Sequence, residues 1–240
     1  MSDGSDAADG ADTADPPDAA VLESMRLADS SLPVGTDSVS YGLEAFVTTD
    51  RVADAADLSA LLETYLRRQL GPGELVALRA AHAGARDGDV DAVCAADRRL
   101  SAVTLAAEFR ESSTRTGSRL LDIQRRLHDD ALLDAYAARS APGNYAVVLG
   151  VATARADIGA ERACLLCCHE FVTTLLGAAQ RLLRLGHTEI QHVRNDLEPV
   201  IVDAVETSAD RSLDEMTPFT PLIELQSAAH ERADRRLFVS

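Results

Sequence analysis

The apolar residues of this chain recur at α-helical spacing almost from end to end. The clearest stretch places Leu58, Leu61, Leu62, Tyr65 and Leu66 at positions i, i+3, i+4, i+7 and i+8, which is one face of a helix. No segment shows the convincing alternation of apolar and polar residues that marks a half-buried strand. With 240 residues, 46% of them hydrophobic, the chain can bury a sizeable core. The pattern predicts an all-α fold, a single-domain bundle of about ten to eleven helices.

Glycine, proline and short polar segments divide this pattern into separate helices. The strongest breakers are Gly71-Pro72-Gly73 and the segment 217–221, which contains two prolines. Asp57 is the predicted cap of the third helix, and Thr188 with Gln191 fits a capping box for a late one. The predicted helices cover 21–27, 38–47, 57–70, 74–85, 90–100, 105–127, 130–138, 145–156, 164–185, 188–206 and 222–234.

The first eighteen residues differ from the rest of the chain. An aspartate stands at every third position from Asp3 to Asp18, among Ala, Gly, Ser and Pro. Such a segment cannot bury apolar surface, so residues 1–18 are predicted to be a disordered acidic tail and residues 19–240 the helical domain. The tail is either an ordinary solvated extension or a binding segment for a metal or a basic partner.

The charge of the chain limits its partners. The net charge is −16, and all 23 basic residues are arginine, with no lysine anywhere. An acidic, lysine-free surface suits a cytoplasm at very high salt, where screening weakens repulsion between carboxylates; codon bias toward Ala, Arg, Asp and Gly is the other explanation. Either way, nucleic acid is disfavoured as a partner, because phosphates require a basic face.

The sequence also predicts a cytoplasmic location. No apolar run approaches the length that spans a bilayer, since the best, 145–154, stops at charged residues. The N-terminus lacks the basic and apolar regions of a signal peptide. A membrane partner is therefore not expected, and the four cysteines are expected to be reduced thiols.

No catalytic motif is found in the chain. A Walker-type phosphate-binding loop and a Schiff-base enzyme both need a lysine, which this chain lacks. The zinc-protease helix and the Gly-x-Ser-x-Gly elbow are absent too. The chain is predicted to be a non-enzymatic protein without a cofactor of its own.

One cluster has the residue types of a metal site. Cys164, Cys167 and Cys168 share a helix face, and His169 follows them. Thiolates and imidazole are good nickel or zinc ligands. However, His169 points about 100° away from Cys168, and small cysteines commonly pack helix interfaces. The cluster leaves open an alternative, an unrelated all-helical metal-binding or regulatory protein.

Four segments together resemble the UreF family of urease accessory proteins. The resemblance spans residues 20–240 in the family's order, and its opening and terminus are together specific. The segments are Leu32-Pro33-Val34-Gly35 with Ser38, Ser40 and Gly42-Leu43-Glu44; Arg110-Glu111-Ser112-Ser113 with Gly117-Ser118-Arg119-Leu120-Leu121; Tyr145-Ala146-Val147-Val148-Leu149-Gly150 with Arg181-Leu182-Leu183-Arg184-Leu185-Gly186 and Gln191; and Pro221-Leu222 with Ser227, His230-Glu231 and Arg236-Leu237-Phe238-Val239-Ser240.

Some positions depart from the family pattern. Asp37 replaces an aromatic residue, Tyr41 stands where Gln or His is common, Arg184 replaces a proline, and His187 replaces a glutamine. These departures affect local contacts more than the resemblance itself.

The resemblance implies an all-α homodimer that binds the accessory protein UreD, also called UreH, and with it recruits the GTPase UreG. That assembly passes nickel to apo-urease when GTP is hydrolysed; whether nickel touches this chain is left open. An apolar pair beside arginine at the terminus resembles an interface anchor, although it also suits docking on the chain's own core. Arg181 stands where the family carries a basic residue linked to control of GTP hydrolysis, or it covers apolar surface with its stem. The residues expected to bind partners are Arg236, Leu237, Phe238, His230, Glu231, Tyr41, Glu44 and Arg181.

Overall fold

The computed structural model describes residues 17–35 and 39–223 and confirms the all-α class. No β-strand occurs in these two ranges. A π-helical turn, Leu66–Leu70, extends the third helix, and a 3-10 turn, Leu213–Glu215, follows the tenth. The α-helices are α1 Asp18–Leu27, α2 Leu43–Thr48, α3 Ala55–Tyr65, α4 Glu74–Asp87, α5 Val90–Val103, α6 Ala107–Leu127, α7 Ala131–Ala137, α8 Tyr145–Arg155, α9 Ala160–Leu183 and α10 His187–Thr207.

Helix α8 forms the centre of the core. Every residue from Tyr145 to Ala154 is buried, because α4, α5, α6 and α9 pack around this helix. Gly150 lets α8 approach α4 closely, since a Cβ built there would lie 2.6 Å from the Leu78 carbonyl oxygen. The continuously apolar segment 145–154 is thus the fully enclosed helix that such a pattern is typical of.

The start of α2 differs from the prediction. The helix begins at Leu43 rather than at residue 38, because Tyr41 and Gly42 both have positive φ angles, 47° and 77°, and form a left-handed turn. Glycine adopts this region at little cost, whereas a tyrosine there has to be held by its surroundings.

Two predicted helix caps are wrong. Asp54, not Asp57, caps α3: its carboxylate accepts hydrogen bonds from the Ala56 and Asp57 amides at 2.9 and 3.0 Å. At α10 the cap is Gly186, whose N–H donates to the Glu189 carboxylate at 2.8 Å, so the box predicted at Thr188 and Gln191 does not form. At α3 two aspartates stand within one turn and the earlier one is the cap, whereas at α10 a glycine holds the cap position and Glu189 bonds back to its N–H.

The corner between α9 and α10 explains one departure from the family pattern. Arg184 ends α9 with φ 55°, in the left-handed region. Proline fixes φ near −65°. The proline that is usual in the family is therefore incompatible with this backbone.

Helix α9 is the exception to the predicted absence of long apolar segments. Among the described residues it is the one helix long and apolar enough, by length and composition, to cross a membrane. Of its apolar window, 56% is buried inside the domain, against α2, α4, α8 and α10. Its hydropathy is accounted for by this packing, as in the core helix of a soluble protein.

Candidate functional site

An aromatic cluster holds the left-handed turn at Tyr41. The Tyr41 ring centroid lies 4.7 Å from that of Phe171 and 5.8 Å from that of Phe109, and the Tyr65 hydroxyl donates a hydrogen bond to the Tyr41 carbonyl. Burial raises the pKa of the Tyr41 phenol well above its usual value, and the nearby Glu170 adds to the shift. The turn is therefore fixed against α3, α6 and α9.

One cavity adjoins this turn and a second lies beside the first. The first is lined by Tyr41, Glu74 and Cys167 among others; the second lies between α9 and the loop after α1. Tyr145 and Glu170 line both cavities and form the wall between them. Two neighbouring cavities with mainly apolar linings therefore share one wall, which carries a tyrosine and a glutamate.

The two carboxyl groups that line the first cavity, Glu74 and Glu170, are both shifted toward their neutral forms. Burial raises the pKa of Glu170 to about 7, although the Thr174 hydroxyl donates to it at 3.0 Å. Burial also raises the pKa of Glu74, whose Oε1 accepts from the Gln69 amide at 3.3 Å. Within the described part of the chain, Glu74 Oε2 has no hydrogen-bond partner. A buried carboxylate without a counter-charge is costly, which is why burial moves the pKa of both groups upward.

We expect Glu170→Gln to remove a pH dependence of stability. Between the ordinary pKa of 4.5 and about 7, folded Glu170 keeps a proton that the unfolded chain has released. The free energy of unfolding therefore falls as pH rises through this window and levels off above it. Glutamine cannot ionise, so at about pH 8 the variant should be more stable by up to about 3 kcal/mol, and at about pH 4 equally stable.

Urea unfolding of both proteins across this pH range measures the effect. Glu198→Gln, at an exposed position of α10, is the matched control and should follow the native curve. Parallel curves for Glu170→Gln and the native protein would contradict the assignment.

The cysteine cluster lies in the core. Cys164, Cys167 and Cys168 are buried where α9 packs, whereas His169 is exposed. Burial raises the pKa of all three thiols, that of Cys164 to about 11, so at neutral pH they are not the thiolates that bind metal. In the ranges 17–35 and 39–223, no three His, Cys, Asp or Glu side chains are grouped so that they could hold a metal ion. The three thiols act as small packing residues here.

Two of the predicted partner-binding residues line cavities, but not the same one. Half-buried Tyr41 lines the first cavity, and exposed Arg181 lines the second. The Arg181 Nε donates to the Gly177 carbonyl at 3.2 Å. Glu44 is buried on α2 and lines neither cavity.

The other predicted partner-binding residues lie outside the described residues, as does the family departure at Asp37. They are His230, Glu231, Arg236, Leu237 and Phe238.

Sequence reasoning missed Glu74 and Glu170. With 39 acidic residues in the chain, a carboxylate carries little information by itself. The one available signal was position: Glu170 is the single acidic residue in the apolar stretch 163–185 of α9.

Comparison with known proteins identifies the family of the chain. The UreF family model matches residues 52–198. The urease accessory protein UreF of Trichodesmium erythraeum is 31% identical over 223 residues, covering 91% of this chain and 96% of that protein. UreF 1 of Brucella melitensis is 29% identical over 224 residues, 92% of each chain. UreF of Paenarthrobacter aurescens is 31% identical, covering 91% of this chain and 97% of that protein.

These matches exclude the alternative of an unrelated helical protein. They confirm the resemblance found in the four sequence segments and extend it over nearly the whole chain. The chain belongs to the UreF family of urease accessory proteins and is a non-catalytic accessory protein.

Proposed function

We propose that this protein is a scaffold subunit of a nickel-insertion complex. It binds UreD (UreH), the pair recruits the GTPase UreG, and the assembly transfers nickel to apo-urease as GTP is hydrolysed. The observation that carries the proposal is the match, over more than nine-tenths of the chain, to proteins named urease accessory protein UreF. Nickel is the cargo of the complex in this proposal, and the chain needs no cofactor of its own.

The division of labour follows from composition. The chain contains no lysine, so the phosphate-binding loop of the GTPase has to come from a partner. We place the complex in the cytoplasm and the chain in a homodimer, as the family resemblance implies. The acidic, lysine-free composition supports a cytoplasm rich in salt.

A pull-down from native extract tests the proposal. The tagged full chain should recover UreD, UreG or urease subunits at molar salt. Recovery of none of the three by a chain that remains helical by circular dichroism would contradict the scaffold role.

The C-terminal anchor gives a sharper prediction. We expect Phe238→Ala, or removal of residues 235–240, to leave a folded helical protein that no longer binds UreD. Truncating a buried aromatic anchor typically costs more than ~2 kcal/mol, or roughly a 30-fold loss of affinity. The contact should persist in molar salt because it is mainly apolar, whereas exposed charge pairs are screened within ~3 Å there.

Melting temperature and UreD affinity measured on the same sample distinguish an interface anchor from docking on the chain's own core. Leu127→Ala, which truncates a 55% exposed apolar side chain at the end of α6, is the control and should bind normally. If Phe238 docks on the chain's own core, its truncation should instead lower stability by ~3–5 kcal/mol. Unchanged UreD binding would move the anchor to the segment 32–44.

A further inference from the structure

After α10 the chain runs back across the link between α3 and α4. The Thr217 N–H donates to the Pro72 carbonyl at 3.3 Å, and the Phe219 N–H donates to the Arg68 carbonyl at 3.0 Å. These two hydrogen bonds tie the segment to the π-helical turn and to the breaker that follows it. We call residues 217–220 the strap.

The π-helical turn under the strap directs one polar side chain inward. The Gly71 N–H bonds to the Leu66 carbonyl, five residues back, at 2.9 Å. This wider turn leaves Gln69 buried, with 6% of its surface exposed, although Arg67 and Arg68 beside it are exposed. Single π turns inside helices are frequent at functional sites.

A hydrogen-bond chain joins the strap to a buried carboxyl group. The Thr220 hydroxyl donates to Gln69 Oε1 at 3.3 Å, and Gln69 Nε2 donates to Glu74 Oε1 at 3.3 Å. Pro218 and Thr220 also line a third, narrow cavity, whose lining includes Gln69 and Glu74. The same two residues line the first cavity. The strap is thus the outer wall of the space that holds Glu74.

The strap carries few of the contacts that stabilise the rest of the fold. Its largest side chain, Phe219, is 69% exposed, and Leu105 on the rim of the third cavity is 64% exposed. Pro218 has no N–H to donate. Buried Met216 precedes the strap and buried Ile223 follows it, which keeps it in place in the isolated chain. Segments with few buried contacts open at a lower free energy than the core.

We propose that the strap is a displaceable cover over the cavity of Glu74. Opening it breaks the two backbone hydrogen bonds to Pro72 and Arg68 and the Thr220–Gln69 hydrogen bond, and leaves Met216 and Ile223 in place. A displaceable cover is a property additional to the scaffold role, and it can be tested on the isolated protein.

Opening the strap would change the charge of the cavity. Burial holds the pKa of Glu74 above its usual value, and admitting water removes that cause. The other titratable groups that line the first cavity are Tyr41, Tyr145, Cys167 and Glu170; among the described lining residues none is basic. Opening the strap therefore moves the pKa of the Glu74 carboxyl back toward its usual value and favours its ionised form.

Thiol labelling of the full-length protein tests the cover. Cys167 lines the first cavity, whereas Cys94 is buried on α5 and lines none of the three cavities. Phe219→Pro removes the N–H that bonds to Arg68, while Phe219→Ala keeps it. We expect Phe219→Pro to label Cys167 at least about tenfold faster than the native protein, with Cys94 unchanged and Phe219→Ala native-like.

The native protein supplies a second, independent measurement. The Thr217 and Phe219 amides should exchange hydrogen, and Cys167 should label, with one common opening free energy that is lower than that of Cys94. An unchanged Cys167 rate in Phe219→Pro overturns the proposal. If all four cysteines of Phe219→Pro are labelled together, that variant has unfolded and the measurement on the native protein decides. Equal opening free energies for Cys167 and Cys94 in the native protein overturn the proposed cover.

Discussion

Asp97→Ala should lower the free energy of unfolding by about 3–5 kcal/mol, because it strips the acceptor from a buried network. The Asp97 carboxylate is fully buried and accepts from the Tyr136 hydroxyl at 2.7 Å, the Gly143 N–H at 2.6 Å, and the Asn144 N–H and Nδ2 at 2.9 and 2.7 Å. Alanine leaves these donors unsatisfied in the core, where each lost partner costs about 1–3 kcal/mol.

Urea unfolding at fixed salt measures this loss. Asp91→Ala, on the same helix, is the matched control: Asp91 pairs with Arg139 at 2.9 Å, but its side chain is 75% exposed. An exposed pair contributes at most ~1 kcal/mol, so the control should stay close to native. A loss below about 1 kcal/mol for Asp97→Ala would show that water replaces the carboxylate.

The second large loss of stability is expected from Gly117→Ala on α6. A Cβ at this position would lie 2.1 Å from the Gly143 carbonyl oxygen and 2.7 Å from the Tyr145 nitrogen. These atoms belong to the loop whose Gly143 and Asn144 N–H groups are held by Asp97, so the loop cannot move away from α6 without straining that network. We expect a loss of about 3 kcal/mol or more, against a gain in helix propensity of only ~1 kcal/mol.

Gly177→Ala is the control for backbone effects. Gly177 lies inside α9, and a Cβ built there would meet no atom within 4 Å. The same substitution should stabilise the protein by up to ~1 kcal/mol. If the melting temperature falls equally in both variants, the loss at Gly117 comes from replacing a helical glycine in general and not from its close contact with the loop.

Asp97 and Gly117 both contact the short loop before α8 and thereby fix the position of Tyr145. The loop ends at Tyr145, which lines both large cavities and whose N–H bonds to the Ser113 hydroxyl at 3.1 Å. Partial loss of the network should therefore also alter the wall between the cavities. A variant such as Asp97→Asn separates the two consequences, because it retains one acceptor oxygen.

The sequence predicted the helices well because their signal is local. The stripe on α3, the enclosed run of α8 and the breaker at residues 71–73 all follow from nearest-neighbour spacing. The start of α2 could not be predicted in this way. Its left-handed turn at Tyr41 depends on a hydrogen bond from Tyr65 and on rings from α6 and α9, all distant in sequence.

The cavity carboxyls were unpredictable for a different reason. Whether Glu74 is buried depends on how α4 meets the strap and the π-helical turn, which are separated from each other by more than half of the chain. The cysteine cluster was ambiguous in sequence, since packing and metal binding use the same residues. The structure separates these roles by direction: Cys164, Cys167 and Cys168 face the core, and His169 does not.

The order in which α9 meets its neighbours matters during synthesis on the ribosome. A helix this long and apolar exposes a large apolar surface if it emerges with nothing to cover it, and such surfaces are prone to aggregation. Three of its packing partners, α2, α4 and α8, are translated first, and only α10 follows. An acceptor surface is therefore already available when α9 leaves the exit tunnel, and the exposed lifetime of its apolar face is limited by docking rather than by completion of the chain.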